Sequence, residues 1–140
     1  MSQTAVARML QDAYRALDVE LEAALEDRGA VEVTPTQARA LLLVDRTGTR
    51  LTELAARAGV TKQAMMQMVD ELQANGFLRR TPDPEDGRAK MVRLTARGLR
   101  QRATARQALA AIEARIKRRL GNRRYDALRV LLEELIAEEE

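Results

Sequence analysis

Residues 52–75 read TELAARAGVTKQAMMQMVDELQAN, and this stretch decides the predicted fold. Thr52 can cap a short helix. Gly59 ends that helix, because glycine adopts the left-handed conformation after a helix at little cost. Thr61 can then cap a second helix, predicted from Lys62 to Ala74. Two helices joined by a short turn are the plan of a DNA-binding helix-turn-helix.

The second helix carries two chemically different faces. Its apolar residues fall on one side at about 100° per residue and are predicted to pack on the first helix. They are Met65, Met68, Val69 and Leu72. The opposite face comprises Lys62, Gln63, Met66, Gln67 and Asp70. Lys and Gln near a helix N-terminus can contact phosphates and base edges, and an exposed Met suits a thymine methyl group. An ordinary helix pair with a polar outer face fits this stretch equally well.

The composition predicts a soluble protein with an aliphatic core. The chain has 140 residues, of which 46% are hydrophobic, and its aromatic side chains are Tyr14, Phe77 and Tyr125. It contains neither Cys nor His, which excludes disulfides, thiol redox sensing and Cys/His zinc sites. No apolar run approaches the ~18 residues of a membrane helix, and Asp12 lies where a signal peptide would be apolar. We therefore expect a cytoplasmic protein that uses no metal, cofactor or membrane.

The charge is unevenly distributed along the chain. Residues 1–45 carry a net charge of −4, residues 46–106 carry +7, and residues 107–140 are neutral. The positive excess therefore lies on the helix pair and on the segment that follows it. Such an excess favours a polyanionic partner, although 21 of the 24 basic residues are Arg and a general bias toward Arg could also place them there.

After Gly76 the pattern changes from helical to β-like. Runs at 77–81 and 90–94 flank the sequence PDPEDG at 82–87, whose prolines and glycine predict a hairpin with an extended tip. Its basic residues are Arg79, Arg80, Arg88, Lys90 and Arg93. A basic hairpin directly after the second helix is a wing and strengthens the prediction of DNA binding. The alternative is a solvated hairpin whose charges only prevent edge pairing.

Before the helix pair, the sequence predicts another helix and a short strand. Thr34, Pro35 and Gln37 are the signature of a capping box with proline in the first turn. The helix that they start is predicted to reach Gly48. Thr49–Leu51 is then expected to add a strand to a small sheet.

The terminal helices pose a question of burial. Residues 4–28, a helix Ala96–Leu120 capped by Thr95, and a last helix capped by Asn122 each show a wide apolar stripe. The part between them, residues 34–94, is too small to cover all three stripes, so a partner surface is expected. The simplest partner is a second copy of the chain. A two-fold dimer would place two reading helices one DNA turn apart on a palindromic site.

The order of these parts and two motifs resemble the MarR family of bacterial transcriptional regulators. The first motif is DPEDGRAKMVRLT at 83–95, followed by ARG at the start of the long helix. The second is LTELAARAGVTKQA at 51–64, continuing in MVDELQANGFLRR at 68–80. The terminal helices match the family in layout and length rather than in motif.

The resemblance implies a mainly α-helical chain with a small β-hairpin wing. Within a single chain of residues 1–140, residues 34–94 would form a winged helix-turn-helix that binds double-stranded DNA. Residues 1–33 and 95–140 would form the helical dimerisation part of a triangular homodimer. The acidic end, Glu138–Glu140, is expected to fray.

The resemblance also implies roles for particular side chains. The second helix would enter the major groove and the wing the adjacent minor groove, where Asp86 would orient Arg88. The residues predicted to contact DNA are Thr61, Lys62, Gln63, Met66, Gln67, Arg79, Arg80, Asp86, Arg88 and Lys90. Many members have arginine where this chain has Gly87 and Gln67. The first departure weakens the expected wing contact, and the second prevents the target sequence from being taken from relatives.

The family further implies regulation by small aromatic or anionic ligands between the dimer helices and the winged part. The residues expected to line such a pocket are Tyr14, Arg15, Leu17 and Arg39. Tyr14 and Leu17 are also explained by interface packing, since apolar stripes mostly form core.

These observations favour a homodimeric, sequence-specific DNA-binding regulator that a ligand releases from its operator. A repressor is favoured over an activator. The first alternative is a protein-interaction module that kept the winged fold and lost DNA binding, as Gly87 and Gln67 would allow. An enzyme is disfavoured, because the sequence has no Cys, no His, no glycine-rich phosphate loop and no metal-spaced carboxylate cluster. Asp83, Glu85 and Asp86 come closest to such a cluster, but a solvated turn explains them better.

Overall fold

A computed structural model describes residues 5–30, 32–88 and 90–137 of the chain. Within these ranges the chain forms six helices and three strands. The elements are, in chain order, α1 (Val6–Asp27), α2 (Pro35–Leu43), β1 (Thr49–Arg50), α3 (Leu51–Ala58), α4 (Lys62–Ala74), β2 (Leu78–Pro82), β3 (Lys90–Leu94), α5 (Ala96–Leu120) and α6 (Asn122–Ile136). The predicted fold class, mainly α with a small hairpin wing, is confirmed. None of the described helices is long and apolar enough to cross a membrane.

The sheet joins the predicted hairpin to a strand that precedes the helix pair. β2 and β3 pair antiparallel, with Leu78 opposite Leu94 and Pro82 opposite Lys90. β1 also pairs with β3, which therefore lies in the middle of the three-stranded sheet. Leu78 and Val92 are fully buried, whereas residues 84–88 at the tip are exposed. One face of the sheet thus closes onto the helices, while the tip remains available to a partner.

The core lies where the sheet, α2, α3, α4 and α5 meet. Its largest fully buried side chains include Phe77, Leu41, Leu54, Met65 and Leu72. On α4, the apolar face predicted from the sequence is the buried one, since Val69 is also inaccessible and Met68 is half-buried. The winged part therefore shares one closed core with residues of α1 and α5.

Three predicted helix starts are confirmed by their capping hydrogen bonds. The Thr34 hydroxyl accepts from the Gln37 N–H at 3.1 Å, and the Gln37 side chain accepts from the Thr34 N–H at 3.1 Å, which completes the capping box. The Thr61 hydroxyl accepts from the Ala64 N–H at 3.1 Å. The Thr95 hydroxyl accepts from the Gly98 N–H at 3.0 Å.

Two other predicted caps are wrong by one or two residues. α3 begins at Leu51, with Arg50 at the N-cap position and no side-chain cap, so Thr52 lies inside the first turn. α6 begins at Asn122 itself, after Gly121, again without a side-chain cap. The predicted end of α3 at Gly59 is confirmed, because this residue has a φ of 67° in the left-handed region.

α2 is shorter than its apolar run predicted. It ends at Leu43, and Val44 has an extended backbone with φ −80° and ψ 123°, so the predicted continuation to Gly48 is wrong. The carbonyl oxygens of Leu43 and Val44 accept hydrogen bonds from the side chains of Arg57 and Arg102. These tertiary bonds replace the intrahelical bonds that a longer helix would have made.

The start of α5 fits closely against the segment that links α4 to β2. Gly98 is buried, and a Cβ at this position would overlap the carbonyl oxygen of Phe77. The same carbonyl oxygen accepts a hydrogen bond from the Thr95 N–H at 3.2 Å. The glycine of the ARG motif is therefore required by the packing of α5.

The terminal helices are less covered than the winged part. Leu21 and Leu25 of α1 are buried, but Val6, Met9 and Leu10 on the same helix are exposed. α6 has no buried residue at all among those described. The predicted start of the first helix at residue 4 and the expected fraying of Glu138–Glu140 lie outside the described residues.

Candidate nucleic-acid interface

The outer face of α4 is a continuous exposed surface. Lys62, Gln63, Met66, Gln67 and Asp70 are all exposed on the face opposite the buried one. Met66 is 43% exposed, a large apolar side chain on an otherwise polar surface. The N-terminus of α4 lies at the same end as Lys62, so the partial positive charge of the helix dipole adds to that of the side chain.

Thr61 combines two roles at the start of α4. Its hydroxyl oxygen accepts the capping bond from the Ala64 N–H, as described above. The hydroxyl hydrogen remains available to a second acceptor, since a hydroxyl both donates and accepts. Thr61 is exposed, so such an acceptor can come from a partner.

The wing tip carries Asp86 and Arg88 in a tight turn. The Asp86 carboxylate accepts from the backbone N–H of Arg88 at 3.1 Å. Within the described ranges, no hydrogen bond joins this carboxylate to the Arg88 guanidinium, which is exposed. The carboxylate therefore orders the main chain that carries Arg88, and its predicted role in orienting the guanidinium on DNA stays a prediction.

The two neighbouring arginines of β2 have different environments. Arg79 is exposed, and it lies opposite Arg93 of β3. Arg80 instead donates to Gln73 Oε1 and to Asp70 Oδ1, both at 2.6 Å. Arg80 thereby ties the wing to α4, a role that its placement among the DNA-contacting residues did not anticipate.

Asp83 anchors the wing where its tip begins, directly after β2, and was missed by the sequence analysis, which placed it in a solvated turn. It is 5% exposed, and its Oδ2 atom accepts from Arg50 Nε at 2.7 Å. Its Oδ1 atom accepts from the Glu85 N–H at 2.9 Å. These bonds lower the pKa of Asp83 below its ordinary value, first through the Glu85 amide and then through Arg50, against the opposing effect of burial.

Arg93 is held within the sheet. Its Nε atom donates to the Thr81 hydroxyl at 2.8 Å, and its Nη1 atom donates to the Thr47 carbonyl oxygen at 2.5 Å. Together with Arg50 and Arg80, Arg93 belongs to a set of arginines that support the wing from within the protein.

A second candidate site is a cleft of about 480 Å³ between α1, α2 and the helix pair α3–α4. Tyr14 and Arg39, two of the predicted pocket residues, line this cleft. Arg39 donates to the Tyr14 hydroxyl and to Asp18 Oδ1, both at 2.6 Å, and its guanidinium lies 4.9 Å from the centre of the Tyr14 ring. The apolar part of the wall comprises Ala40, Leu42, Leu43, Ala58, Val60, Met68 and Leu109.

The other two predicted pocket residues do not line the cleft. Leu17 lies in a separate groove of about 710 Å³ between α1, α5 and α6. Arg15 is exposed and lines neither space. In their place the structure brings Arg57 of α3 to the cleft, a residue that the sequence analysis did not single out.

The groove between α1, α5 and α6 is mainly apolar. Leu10, Leu17, Ile116, Leu128 and Leu132 line it. At its edge the Tyr125 hydroxyl donates to the Glu113 carboxylate, and this bond raises the pKa of Tyr125 above its ordinary value. An open groove of this character is a surface that a second protein chain could fill.

A helix-turn-helix followed by a hairpin that is tied to its second helix defines a winged helix protein. Residues 24–89 match the sequence profile of the MarR family. Together with the solved structures described next, this match shows that the chain is similar to the MarR family of transcriptional regulators, the family that its motifs predicted. Members of this family are regulators of transcription and not enzymes, which agrees with the expectation from the sequence.

Solved structures resemble the chain over nearly its whole length. The repressor CouR, bound to a 23-mer DNA duplex, has a TM-score of 0.83 and 28% identity, covering 95% of this chain and 93% of that one. A probable transcriptional regulator from Pseudomonas aeruginosa has a TM-score of 0.82 and 25% identity, covering 94% and 96%. CouR from Rhodococcus jostii RHA1, bound to p-coumaroyl-CoA, has a TM-score of 0.81 and 23% identity, covering 99% and 100%. A comparison with curated protein sequences finds no match.

Proposed function

We propose that this protein is a cytoplasmic homodimer that binds a palindromic operator in double-stranded DNA and represses transcription until a small ligand releases it. The observation that carries the proposal is the pairing of the exposed outer face of α4 with a basic wing held to α4 by Arg80. The structure of CouR on a DNA duplex supports it, since CouR has the same fold at 28% identity.

The free cations of the winged part suit contact with phosphates. Within the described ranges, Lys62, Arg79, Arg88 and Lys90 take part in no ion pair, and all four are exposed. The wing-supporting residues Arg50 and Arg80, in contrast, are paired with carboxylates. The unpaired group can therefore neutralise DNA backbone charge without breaking a bond inside the protein.

The roles that we assign divide between bases and backbone. Lys62, Gln63, Met66 and Gln67 read base edges in the major groove. Thr61 and Lys90 contact the backbone, with Arg79 as a further backbone contact. Arg88 enters the minor groove on the turn that Asp86 orders, and Arg80 acts through the wing rather than on DNA.

The dimer is supported by the uncovered apolar surface of the terminal helices. The groove between α1, α5 and α6 is open, and the nearby Leu131, Leu135 and Ile136 are exposed. A second copy related by a two-fold axis covers both at once and makes a self-complementary interface. In this proposal residues 34–94 bind DNA, and residues 1–33 and 95–140 form the dimer.

The cleft between α1, α2 and the helix pair suits a small aromatic or anionic effector. Its apolar wall accepts a ring, and Arg39, which also pairs with Asp18, lies at its edge beside the Tyr14 hydroxyl. CouR is seen with p-coumaroyl-CoA, an aromatic acyl ligand. Such a ligand releases DNA only if it binds better to a form whose reading helices are wrongly placed.

The test is selection from a randomised duplex library on the purified protein, followed by measurement of affinity across a salt series. We expect an enriched palindrome with half-sites about one helical turn apart. Salt-sensitive binding without an enriched motif would contradict sequence reading, and two failures to bind, before and after ligand-free refolding, would favour the interaction module.

Two variants assign the contacts on the selected operator. Gln63→Ala should change the preferred base at one position, at a cost of about 1–3 kcal/mol. Arg88→Ala should weaken binding to all sequences and reduce the salt slope by about one. Gln107→Ala and Arg118→Ala, both exposed on α5, are the matched controls. An unchanged affinity and salt slope for Arg88→Ala would contradict the assignment of the wing.

A further inference from the structure

The carbonyl end of α2 is held from two sides by arginines of two other helices. Arg57, in the last turn of α3, donates from Nη1 to the carbonyl oxygen of Leu43 at 2.8 Å. Arg102, on α5, donates from Nη1 to the carbonyl oxygen of Val44 at 2.8 Å. The last carbonyls of a helix lack intrahelical partners and carry partial negative charge, so a guanidinium satisfies both needs. We call this arrangement the α2 joint.

Arg57 is fixed in this joint by several further bonds. Its Nη1 and Nη2 atoms donate to the two carboxylate oxygens of Asp45, each at 3.0 Å, and Nη2 also donates to Glu53 Oε1 at 2.8 Å. The two-pronged pairing restricts the orientation of the guanidinium. It also lowers the pKa of Asp45 and raises that of Arg57, through the hydrogen bond between them. α3 is therefore attached to the segment that follows α2.

Arg102 is an unusual side chain for its position. It is 8% exposed, and burial is the main cause that lowers its pKa, with Arg106 and Arg46 adding to the effect. Burying a guanidinium costs desolvation free energy, and an apolar side chain of similar volume often replaces a buried charged group without loss of stability. The bond to Val44 is what an apolar side chain could not provide.

The joint lies between the two parts of the molecule. α5 has 25 residues, a length of about 37 Å at 1.5 Å per residue, and extends from the wing to the groove that we assign to the dimer. On the other side α3 packs against α4, and Leu54 and Ala55 of α3 are buried. The Asp45 N–H donates to the buried Thr49 hydroxyl at 2.8 Å, which anchors the joint to β1 as well.

We infer that Arg57 and Arg102 are positioning residues that fix the direction of α4 relative to α5. In the dimer of the proposed function, on which this inference rests, they set the distance and angle between the two reading helices. With the joint intact, the two reading helices keep a fixed spacing, and the dimer binds tightly only to half-sites at the matching distance. Without the joint, the dimer also binds half-sites at other distances.

The test compares the selected operator with versions lengthened or shortened by one base pair between the half-sites. One base pair rotates a half-site by about 34–36°. We expect the wild type to lose at least about tenfold in affinity, and Arg57→Gln and Arg102→Met to lose less than about threefold. The affinity of both variants for an isolated half-site and the dissociation constant of their dimers should equal those of the wild type. Arg100→Gln, an exposed residue on the same helix, is the matched control and should behave as the wild type.

Two results would overturn the inference. If Arg102→Met loses as much affinity as the wild type when the half-site spacing changes, Arg102 has only a packing role. If Arg57→Gln keeps it, the joint does not direct α3.

A measurement without DNA separates the inference from the proposed function. Both variants should accelerate amide hydrogen exchange in α3 and α4 relative to Arg100→Gln, with no change in the β2–β3 hairpin. If the wild type binds no operator, the proposed function fails, and this exchange pattern alone decides the joint. Unchanged exchange in α3 and α4 would overturn it.

Discussion

α4 and α6 are helices of similar length with an apolar stripe, and they differ in what covers that stripe. Met65, Val69 and Leu72 on α4 are 0% exposed, because α3 and the sheet close over them. Leu135 and Ile136 on α6 are 65% and 78% exposed. The same apolar periodicity therefore corresponds to a buried core face in α4 and to a solvent-exposed face in α6. An apolar stripe predicts that a face will be buried, but the partner that buries it need not belong to the same chain.

The largest expected effect separates two leucines that undergo the same change. Leu72→Ala should lower the free energy of unfolding by about 2–5 kcal/mol at any protein concentration, because it leaves a cavity in a closed core. Leu135→Ala should change the unfolding of the separated chain by less than about 0.5 kcal/mol. It should instead weaken association. Urea unfolding at several protein concentrations, with sedimentation, measures both.

Equal losses for the two leucines, independent of concentration, would break the contrast between the helices. A wild-type chain that sediments as a monomer at micromolar concentration would contradict the dimer.

A smaller effect concerns the polar links of the two regions. Asp83 in the winged part is buried and paired with Arg50, whereas Glu133 on α6 forms an exposed pair with Arg129. The folded-state pKa of Asp83 lies below its unfolded value, so its stabilising effect is present above the unfolded pKa and is lost as pH falls through the folded one. Asp83→Asn should therefore reduce stability at pH 7 and lose that effect in acid.

Urea unfolding of wild type and variant at pH 7 and at pH 3 measures this difference, with Glu133→Gln as control. Exposed pairs contribute at most about 1 kcal/mol, so the control should show little effect at either pH. If the free energies of unfolding of wild type and Asp83→Asn differ by the same amount at both pH values, the ion pair between Arg50 and Asp83 does not contribute to stability.

The smallest effect concerns the helix starts. Thr61 caps α4 through its hydroxyl, whereas α6 has no side-chain cap and begins at Asn122. Thr61→Ala should cost about 0.5–2 kcal/mol of stability, and Asn122→Ala should cost almost nothing. Thermal unfolding compares the two variants. A larger loss for Asn122→Ala would mean that its side chain caps α6 in the assembled protein.

Local signals predicted much of the fold. The caps at Thr34, Thr61 and Thr95, and the glycine after α3, each depend on residues within a few positions of one another. The hairpin depended on the prolines and glycine at 82–87 in the same way. The two missed starts belong to helices without a side-chain cap, so no capping residue marks their first turn in the sequence.

Contacts between distant residues could not be predicted. Arg50 meets Asp83 across 33 positions, and Arg102 meets Val44 across 58. With 21 arginines in the chain, the sequence offers no way to tell which of them bind carboxylates or carbonyls inside the protein. The same limitation explains why the bonds from Arg80 to Gln73 and Asp70 were not predicted, and why α2 was predicted to run past the point where Arg57 and Arg102 bind its last carbonyls. Whether the exposed residues of α4 contact DNA stays a prediction.

The order of strands in the sheet has a consequence for how the chain assembles. β2 and β3 are neighbours in sequence, whereas Thr49 of β1 pairs with Val92 of β3. Closing the loop between β1 and β3 costs more conformational entropy than closing the hairpin, and the two residues of β1 form few bonds to offset that cost. The hairpin is therefore expected to form early and β1 to dock late. Since β1 carries Arg50, we expect its ion pair with Asp83, which anchors the wing near its tip, to form only in the last stage of folding.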